Sequence, residues 1–286
     1  MNWKSFGTRI AMVSVALPLL GVVIFLLPWQ RHLVLTLLVA AVSVVGSLEV
    51  VGLLSARGIP VARRLAPALA GTLPIAAWVQ AAGYLPGVEL HLLWTAAAAG
   101  VLLVAAILFL KKAALRPLLA SVGASLLALL YPGFFLSFVS RMTGLTQPGL
   151  TVAFFLCVIF GDDMLAYFVG SLWGASSCLH LPVSPNKSAV GFVGGVAGAV
   201  IVTLLFHWLA GGFPNRGLGP DIAIAAGVGI VGIVGDLVES GLKRSAGVKD
   251  SGVIIPGRGG ILDSVDSLLL AAPLFYLLLT VVPAAR

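Results

Sequence analysis

Apolar stretches of about 20 residues, the length an α-helix needs to cross a bilayer, recur nine times along this chain. They lie near 10–28, 33–54, 66–85, 90–110, 115–138, 149–168, 188–209, 221–241 and 261–282. Only 9% of the 286 residues are charged, whereas a soluble domain carries roughly 25%. Water cannot be the solvent of such a surface. The expected fold class is an all-α, polytopic integral membrane protein with about nine transmembrane helices. Disorder, collagen-like repeats and a disulfide scaffold are excluded by the same composition. Cys157 and Cys178 are the two cysteines, and they suggest no thiolate metal site. Tyr131-Pro132-Gly133 marks a candidate break in the fifth run. Lys4 and Arg9 precede the first run in the manner of a signal peptide. That run is long, however, and ends in Pro28-Trp29-Gln30-Arg31 without a small-residue cleavage site, so it is expected to stay as an anchor.

Charge gives the orientation. With the N-terminus in the cytoplasm, the inside segments hold 13 basic residues and the outside segments hold four, Arg31, Arg141, Arg216 and Arg286. Basic loops favour the cytoplasmic side, so a cell (inner) membrane protein with a cytoplasmic N-terminus is expected. The net charge of +7 belongs to those loops rather than to a nucleic-acid surface.

Eight of the ten acidic residues fall between positions 162 and 266: Asp162, Asp163, Asp221, Asp236, Glu239, Asp250, Asp263 and Asp266. On this topology the sixth and eighth spans end beside Asp162-Asp163 and beside Asp236 and Glu239. The ninth begins beside Asp263 and Asp266, and all three ends face the cytoplasm. Glu49 sits at the same level, while Glu89 and Asp221 fall outside. An acid within a spanning helix costs about 2.5–3.5 kcal/mol on insertion scales and normally faces a cavity. Two carboxylates about 4 Å apart repel by roughly 4 kcal/mol at an effective dielectric of 20. Such a group calls for protons or cations, and oxygen ligands without His or Cys suit Mg²⁺ rather than zinc. Asp263 and Asp266, at i and i+3, share a helix face.

Between the last two runs, residues 240–267 alternate cations (Lys243, Arg244, Lys249, Arg258) with acids, and Gly257, Gly259 and Gly260 precede the final helix. Free N–H groups at a helix N-terminus favour phosphate. Metal-binding acids beside phosphate-binding cations are what phosphoryl or nucleotidyl transfer requires. A second anion site is expected at Ser184-Pro185-Asn186-Lys187-Ser188, with Ser188 as the cap of the next helix. There, Gly191, Gly194, Gly195 and Gly198 allow close helix packing. His32, His91, His180 and His207 show no ligand spacing.

The run from Ser240 to Asp266 resembles the signature of the phosphatidate cytidylyltransferases, or CDP-diacylglycerol synthases: Ser-x-hydrophobic-Lys-Arg, four residues, Lys-Asp, then Pro-Gly-His-Gly-Gly-x-x-Asp-Arg-x-Asp. Lys243-Arg244, Lys249-Asp250, Gly259-Gly260, Asp263 and Asp266 match in spacing. Arg258 stands for the usual His and Ser264 for the usual Arg. Asp162-Asp163 with Ala166-Tyr167 and Gly170 is similar to the family's Asp-x-x-Ala-Tyr-x-x-Gly. The run from Ser184 to Gly191 resembles Ser-Pro-Lys-Lys-Thr-x-Glu-Gly, with Asn186 and Val190 departing.

The resemblance covers roughly residues 160–286 and implies a catalytic region at 149–286 behind an N-terminal multi-span region at 1–148. It implies transfer of CMP from CTP to phosphatidic acid, releasing pyrophosphate, with Mg²⁺ as cofactor and a monovalent cation, K⁺, assisting. Expected catalytic residues are Asp250, Asp263, Asp266 and Lys249. Expected metal ligands are Asp162, Asp163, Asp236, Asp250, Asp263 and Asp266. Substrate binding is expected from Lys243, Arg244, Arg258, Ser184, Lys187, Ser188, Gly259, Gly260 and Tyr167. The expected partners are CTP, phosphatidic acid and membrane lipids, with a second copy of the chain as a candidate and without nucleic acid. The alternatives are a CTP-dependent nucleotidyltransferase or kinase for another lipid, such as an isoprenoid, and a cation-coupled transporter whose acids line an ion path.

Overall fold

The computed structural model describes residues 18–84, 99–100, 118–255, 257 and 259–282. The chain is all-helical in these residues, with isolated β-bridges as the strand-like pairing. The principal helices are α1 (Trp29–Ala56), α2 (Leu65–Ala81), α3 (Leu118–Leu129), α4 (Phe135–Met142), α5 (Pro148–Trp173), α6 (Ala189–Leu209), α7 (Leu218–Ala246) and α8 (Leu262–Val281). Among the described residues, six helical stretches are long and apolar enough to cross a membrane, counting Leu118–Met142 as one, and α2 is a shorter apolar helix. Of the nine expected runs, the fourth (apart from residues 99–100) and the first eight residues of the first lie outside the described residues, as does Arg258. The apolar helices keep large apolar side chains exposed, including Val193, Ile201, Leu204 and Trp208 on α6. Lipid is the solvent that accounts for them, and the chain is an integral membrane protein.

Several boundaries differ from expectation for local reasons. Gln30, Arg31 and His32 have positive φ inside α1, so its regular right-handed course begins at Leu33. Leu130–Phe134 forms a π-helical turn between α3 and α4 instead of a break. Pro132 lacks the N–H that an α-turn would need; the wider turn absorbs it, and the Ser43 hydroxyl donates to the Pro132 carbonyl at 3.3 Å. Helix α5 does not end beside Asp162-Asp163. Met164 to Trp173 carry it onward through Gly170 to Gly174, which puts both carboxylates inside the helix.

The chain divides into two compact units, each discontinuous in sequence: Met1–Ser14 with Thr146–Gly241 and Val265–Arg286, and Val15–Leu145 with Leu242–Ser264. In the first unit, Phe154, Phe155 and Phe275 are fully buried, with the Phe155 and Phe275 rings stacked at 5.1 Å. Helices α5 and α6 meet backbone to backbone, since a Cβ at Gly198 would strike the Gly161 carbonyl; the small residues serve the packing expected of them. In the second unit, α1, α2 and the α3–α4 stretch bury Ser43, Ser47, Ser125 and Ser140 with apolar neighbours. The Ser125 hydroxyl there accepts the Ala62 N–H at 2.9 Å.

Candidate functional site

Asp162, Asp163, Asp236, Glu239 and Asp266 of the first unit act on one another through their like charges. Asp162 is 1% exposed, and among the described residues its Oδ1 has no hydrogen-bond partner. Gly195 of α6 and Gly229 of α7 leave it room: a Cβ at these positions would lie 3.0 and 2.6 Å from that oxygen. Asp163, next on α5, accepts the Ser267 hydroxyl at 3.1 Å. Asp266, 9% exposed on α8, accepts the Ser267 N–H at 2.7 Å. The negative charges of Asp236, Asp163 and Glu239 all act on Asp266. Against them stands Lys187, whose ammonium lies 2.8 Å from Asp236 Oδ2 and 5.7 Å from the Phe192 ring centre. Ser240 Oγ donates to the other Asp236 oxygen at 3.4 Å.

The loop that presents Lys187 is a tight turn. Its Ser184 carbonyl accepts the Lys187 N–H at 3.3 Å. Ser188 caps α6 by accepting the Gly191 N–H at 3.1 Å, which satisfies an orphan donor of the first turn. Tyr167 follows Asp163 by about one turn of α5 and is exposed.

These groups fit a hard divalent cation by their chemistry. They are buried oxygen donors of one charge, one of them carrying an orphaned oxygen. Among the described residues, no three His, Cys, Asp or Glu side chains form a ready-made metal cage. Mg²⁺ does not require one, because it is typically held by one or two carboxylates together with water and substrate phosphates.

In the second unit the surroundings are the reverse. Asp263 Oδ1 pairs with Lys243 Nζ at 2.5 Å. Its Oδ2 accepts the Ser251 N–H at 2.9 Å, the Gly260 N–H at 2.7 Å and the Ser251 hydroxyl at 2.9 Å. The ammonium and the two amides are full donors to this carboxylate, while the Ser251 hydroxyl has a single proton and also lies 2.8 Å from Glu49 Oε2. The amides before the last helix, expected to receive phosphate, are already occupied. Gly259 N–H donates to the Ile255 carbonyl at 3.0 Å, Gly260 N–H to Asp263, and Ile261 and Leu262 N–H to Glu49, each at 2.8 Å. The free-amide rationale for Gly259 and Gly260 therefore does not hold in this geometry: protein carboxylates and carbonyls have taken the donors.

Helix α7 ends at Gly247, φ +77°. Val248 N–H bonds to the Lys243 carbonyl and Gly247 N–H to the Arg244 carbonyl, each at 3.0 Å, the bond pattern of a Schellman cap. The Arg244 guanidinium donates to the Val248 carbonyl at 3.1 Å. Lys249 and Asp250, just beyond, are exposed.

Sequence reasoning assigned no role to Glu49, Ser251, Ser267 or Gly229. For Glu49 the signal was present, an acid inside an apolar span. The others carry no local signal. His207, which shows no ligand spacing in the sequence, lies 3.9 Å from the fully buried Asp221. Beside them Arg216 donates to the Leu279 and Val282 carbonyls at 2.6 and 2.8 Å. Burial lowers the pKa of Arg216, and the nearby Asp221 charge opposes that shift.

Residues 7–282 match the cytidylyltransferase family. The chain is 42% identical over 160 residues to a phosphatidate cytidylyltransferase of Bacillus subtilis, covering 55% of this chain and 58% of that protein. To the protein of that name in Brucella abortus it is 41% identical over 150 residues, 52% and 54% of the two chains. To the one in Thermotoga maritima it is 37% identical over 163 residues, 55% and 58%. The aligned part of this chain spans little more than half the length of these relatives. Because the family match runs through both compact units and takes in the carboxylates of each, the chain belongs to the cytidylyltransferase family.

Proposed function

We propose that this protein transfers CMP from CTP to phosphatidic acid at the cytoplasmic leaflet of a bacterial inner membrane, with nine spans and a cytoplasmic N-terminus. The observation that carries the proposal is the group of like-charged carboxylates around Asp266, with Asp162 and Asp266 buried among them, in a chain whose relatives are named phosphatidate cytidylyltransferase. A phosphatidate oxygen attacks the α-phosphorus of CTP. A new P–O bond forms, the bond between the α-phosphorus and the bridging oxygen breaks, and pyrophosphate leaves.

The chain's own residues divide this work by charge. Asp163, Asp236 and Asp266, together with Asp162, would hold Mg²⁺, with K⁺ as an accessory cation. When bound, Mg²⁺ would offset the charge of carboxylates and phosphates and polarise a phosphoryl oxygen. Lys187, now held by Asp236, is available to a phosphate that competes for it. The exposed Arg244 and Lys249 neutralise the anionic substrates, and Asp250 follows Lys249 on the same exposed loop. Asp263 is assigned to holding Lys243 rather than a metal, since the ammonium and two backbone amides already engage its charge.

The test is direct. The purified full chain in detergent, supplied with labelled CTP, phosphatidic acid and Mg²⁺, should yield CDP-lipid and pyrophosphate in equal amounts. A polyprenyl phosphate in place of phosphatidic acid should yield none. Turnover with the polyprenyl lipid alone, or no pyrophosphate from either, would reject the proposal.

A further inference from the structure

Glu49 lies on α1, 213 positions before Leu262, the farthest residue it contacts. Its carboxylate is almost wholly buried, at 7% exposure, and receives three donors. Oε1 accepts the Ile261 N–H; Oε2 accepts the Leu262 N–H and the Ser251 hydroxyl; all three bonds are 2.8 Å. The two amides belong to the entry of α8, where a helix leaves N–H groups without intrahelical partners and its dipole favours negative charge. The place is shaped for a carboxylate. A Cβ at Gly252 would lie 2.7 Å from Oε1, and one at Gly260 would collide with both Glu49 and Ser251.

The contact extends further. Ser251 Oγ also lies 2.9 Å from Asp263 Oδ2, and a hydroxyl has one proton for the two carboxylates. Asp263 in turn grips Lys243 at 2.5 Å. An unbroken series thus runs from Glu49 through Ser251 and Asp263 to the Lys243 ammonium, all within the second unit.

We infer that Glu49 is a positioning residue: a built-in anion that fills the phosphate-type site at the start of α8 and, through Ser251 and Asp263, fixes Lys243. Substrate phosphate is accordingly met by side-chain cations and not by these amides. The kinetic part of this inference rests on the proposed reaction; the occupancy of the anion site does not.

The experiment uses the full chain in detergent as wild type, Glu49→Ala, Ser251→Ala and the double variant, each with and without formate. It reads Tm together with kcat and KM for CTP, normalised to folded protein. A residue that only capped the helix would lower Tm and leave kcat/KM unchanged. Positioning predicts that Glu49→Ala loses kcat/KM by on the order of 100-fold, as misplaced groups do. Formate, filling the vacated position, should recover much of it. Ser251→Ala should lose about tenfold, in the range of outer-layer partners, and the double variant should be no worse than Glu49→Ala.

Wild-type kcat/KM in Glu49→Ala, no response to formate, or strictly additive losses would overturn the inference. If Glu49→Ala does not fold, Ser251→Ala decides, and full activity there overturns it. If the wild type forms no CDP-lipid, the proposed reaction fails by itself. The Tm of Glu49→Ala then tests the anion site: a formate-dependent rise larger than the wild type's supports the assignment, and no such rise overturns it.

Discussion

Asp263 and Asp266 stand three residues apart in the sequence and live under opposite conditions. Asp263 is surrounded by donors: Lys243, two backbone amides and a serine hydroxyl. Asp266 accepts the backbone amide of Ser267 and, at 3.4 Å, its hydroxyl, and three carboxylates act against its charge. A buried charge so fully partnered is costly to disturb, because removing one member strands the other. A buried charge pressed by its own kind costs stability until a cation arrives, and such local cost marks a functional site. The same side chain, on neighbouring turns of the same sequence motif, is held by donors in one unit and pressed by like charges in the other, which is why the proposed function gives the two aspartates different work.

Neutralising the pressed carboxylate should have the largest effect. Asp266→Asn should reduce CDP-lipid formation at least about a hundredfold, the scale at which a lost charge-stabilising group is felt, as read by turnover of labelled CTP. Undiminished turnover would move the chemistry away from the first unit. Next in size is the response to metal. At a Mg²⁺ concentration of 100 times its Kd, ligand linkage stabilises the wild type by about 2.7 kcal/mol, seen as a rise in Tm. That rise should shrink in Asp266→Asn and persist in Asp221→Asn, since Asp221 is grouped with His207 and Arg216. An equal response in all three proteins would dissolve the contrast. The smallest effect belongs to Lys187, whose pair with Asp236 is partly exposed and open to screening. Lys187→Met should raise KM for CTP by a few fold and tighten Mn²⁺ binding without nucleotide, because Asp236 loses its competitor. Weaker Mn²⁺ binding, followed by electron paramagnetic resonance, would show that Lys187 supports the metal site instead.

What could be seen in the sequence was what local periodicity and composition encode. The 188–209 run became α6 at Ala189–Leu209, with Ser188 as its cap, because an apolar window and an N-cap residue are short-range signals. The 33–54 run was placed well for the same reason, with left-handed residues marking its start. The acids of the first unit were legible as a group because charge inside apolar helices is expensive wherever it lies. Their partners were not. Glu49 reaches across more than 200 residues to Ile261 and Leu262, and no spacing rule connects them. Gly259 and Gly260 were expected to offer amides to phosphate; which acceptor they meet is decided by packing, and here the Ile255 carbonyl takes the first and the Asp263 carboxylate the second. Nor could the sequence separate Asp263 from Asp266, since a shared helix face says nothing about what each side chain meets.

The most direct test of this contrast is thermal unfolding of Asp266→Asn and Asp263→Asn side by side, in detergent and chelator. Removing a charge whose like-charged neighbours outweigh its hydrogen bonds from Ser267 should raise the Tm of Asp266→Asn above the wild type. In Asp263→Asn an amide NH₂ would face N–H donors and strand the Lys243 ammonium, lowering stability by about 3 kcal/mol, as for other broken buried pairs. Opposite signs are the expected result; a fall in both proteins, or no change in Asp263→Asn, would contradict the division of the carboxylates into architecture and ligand site.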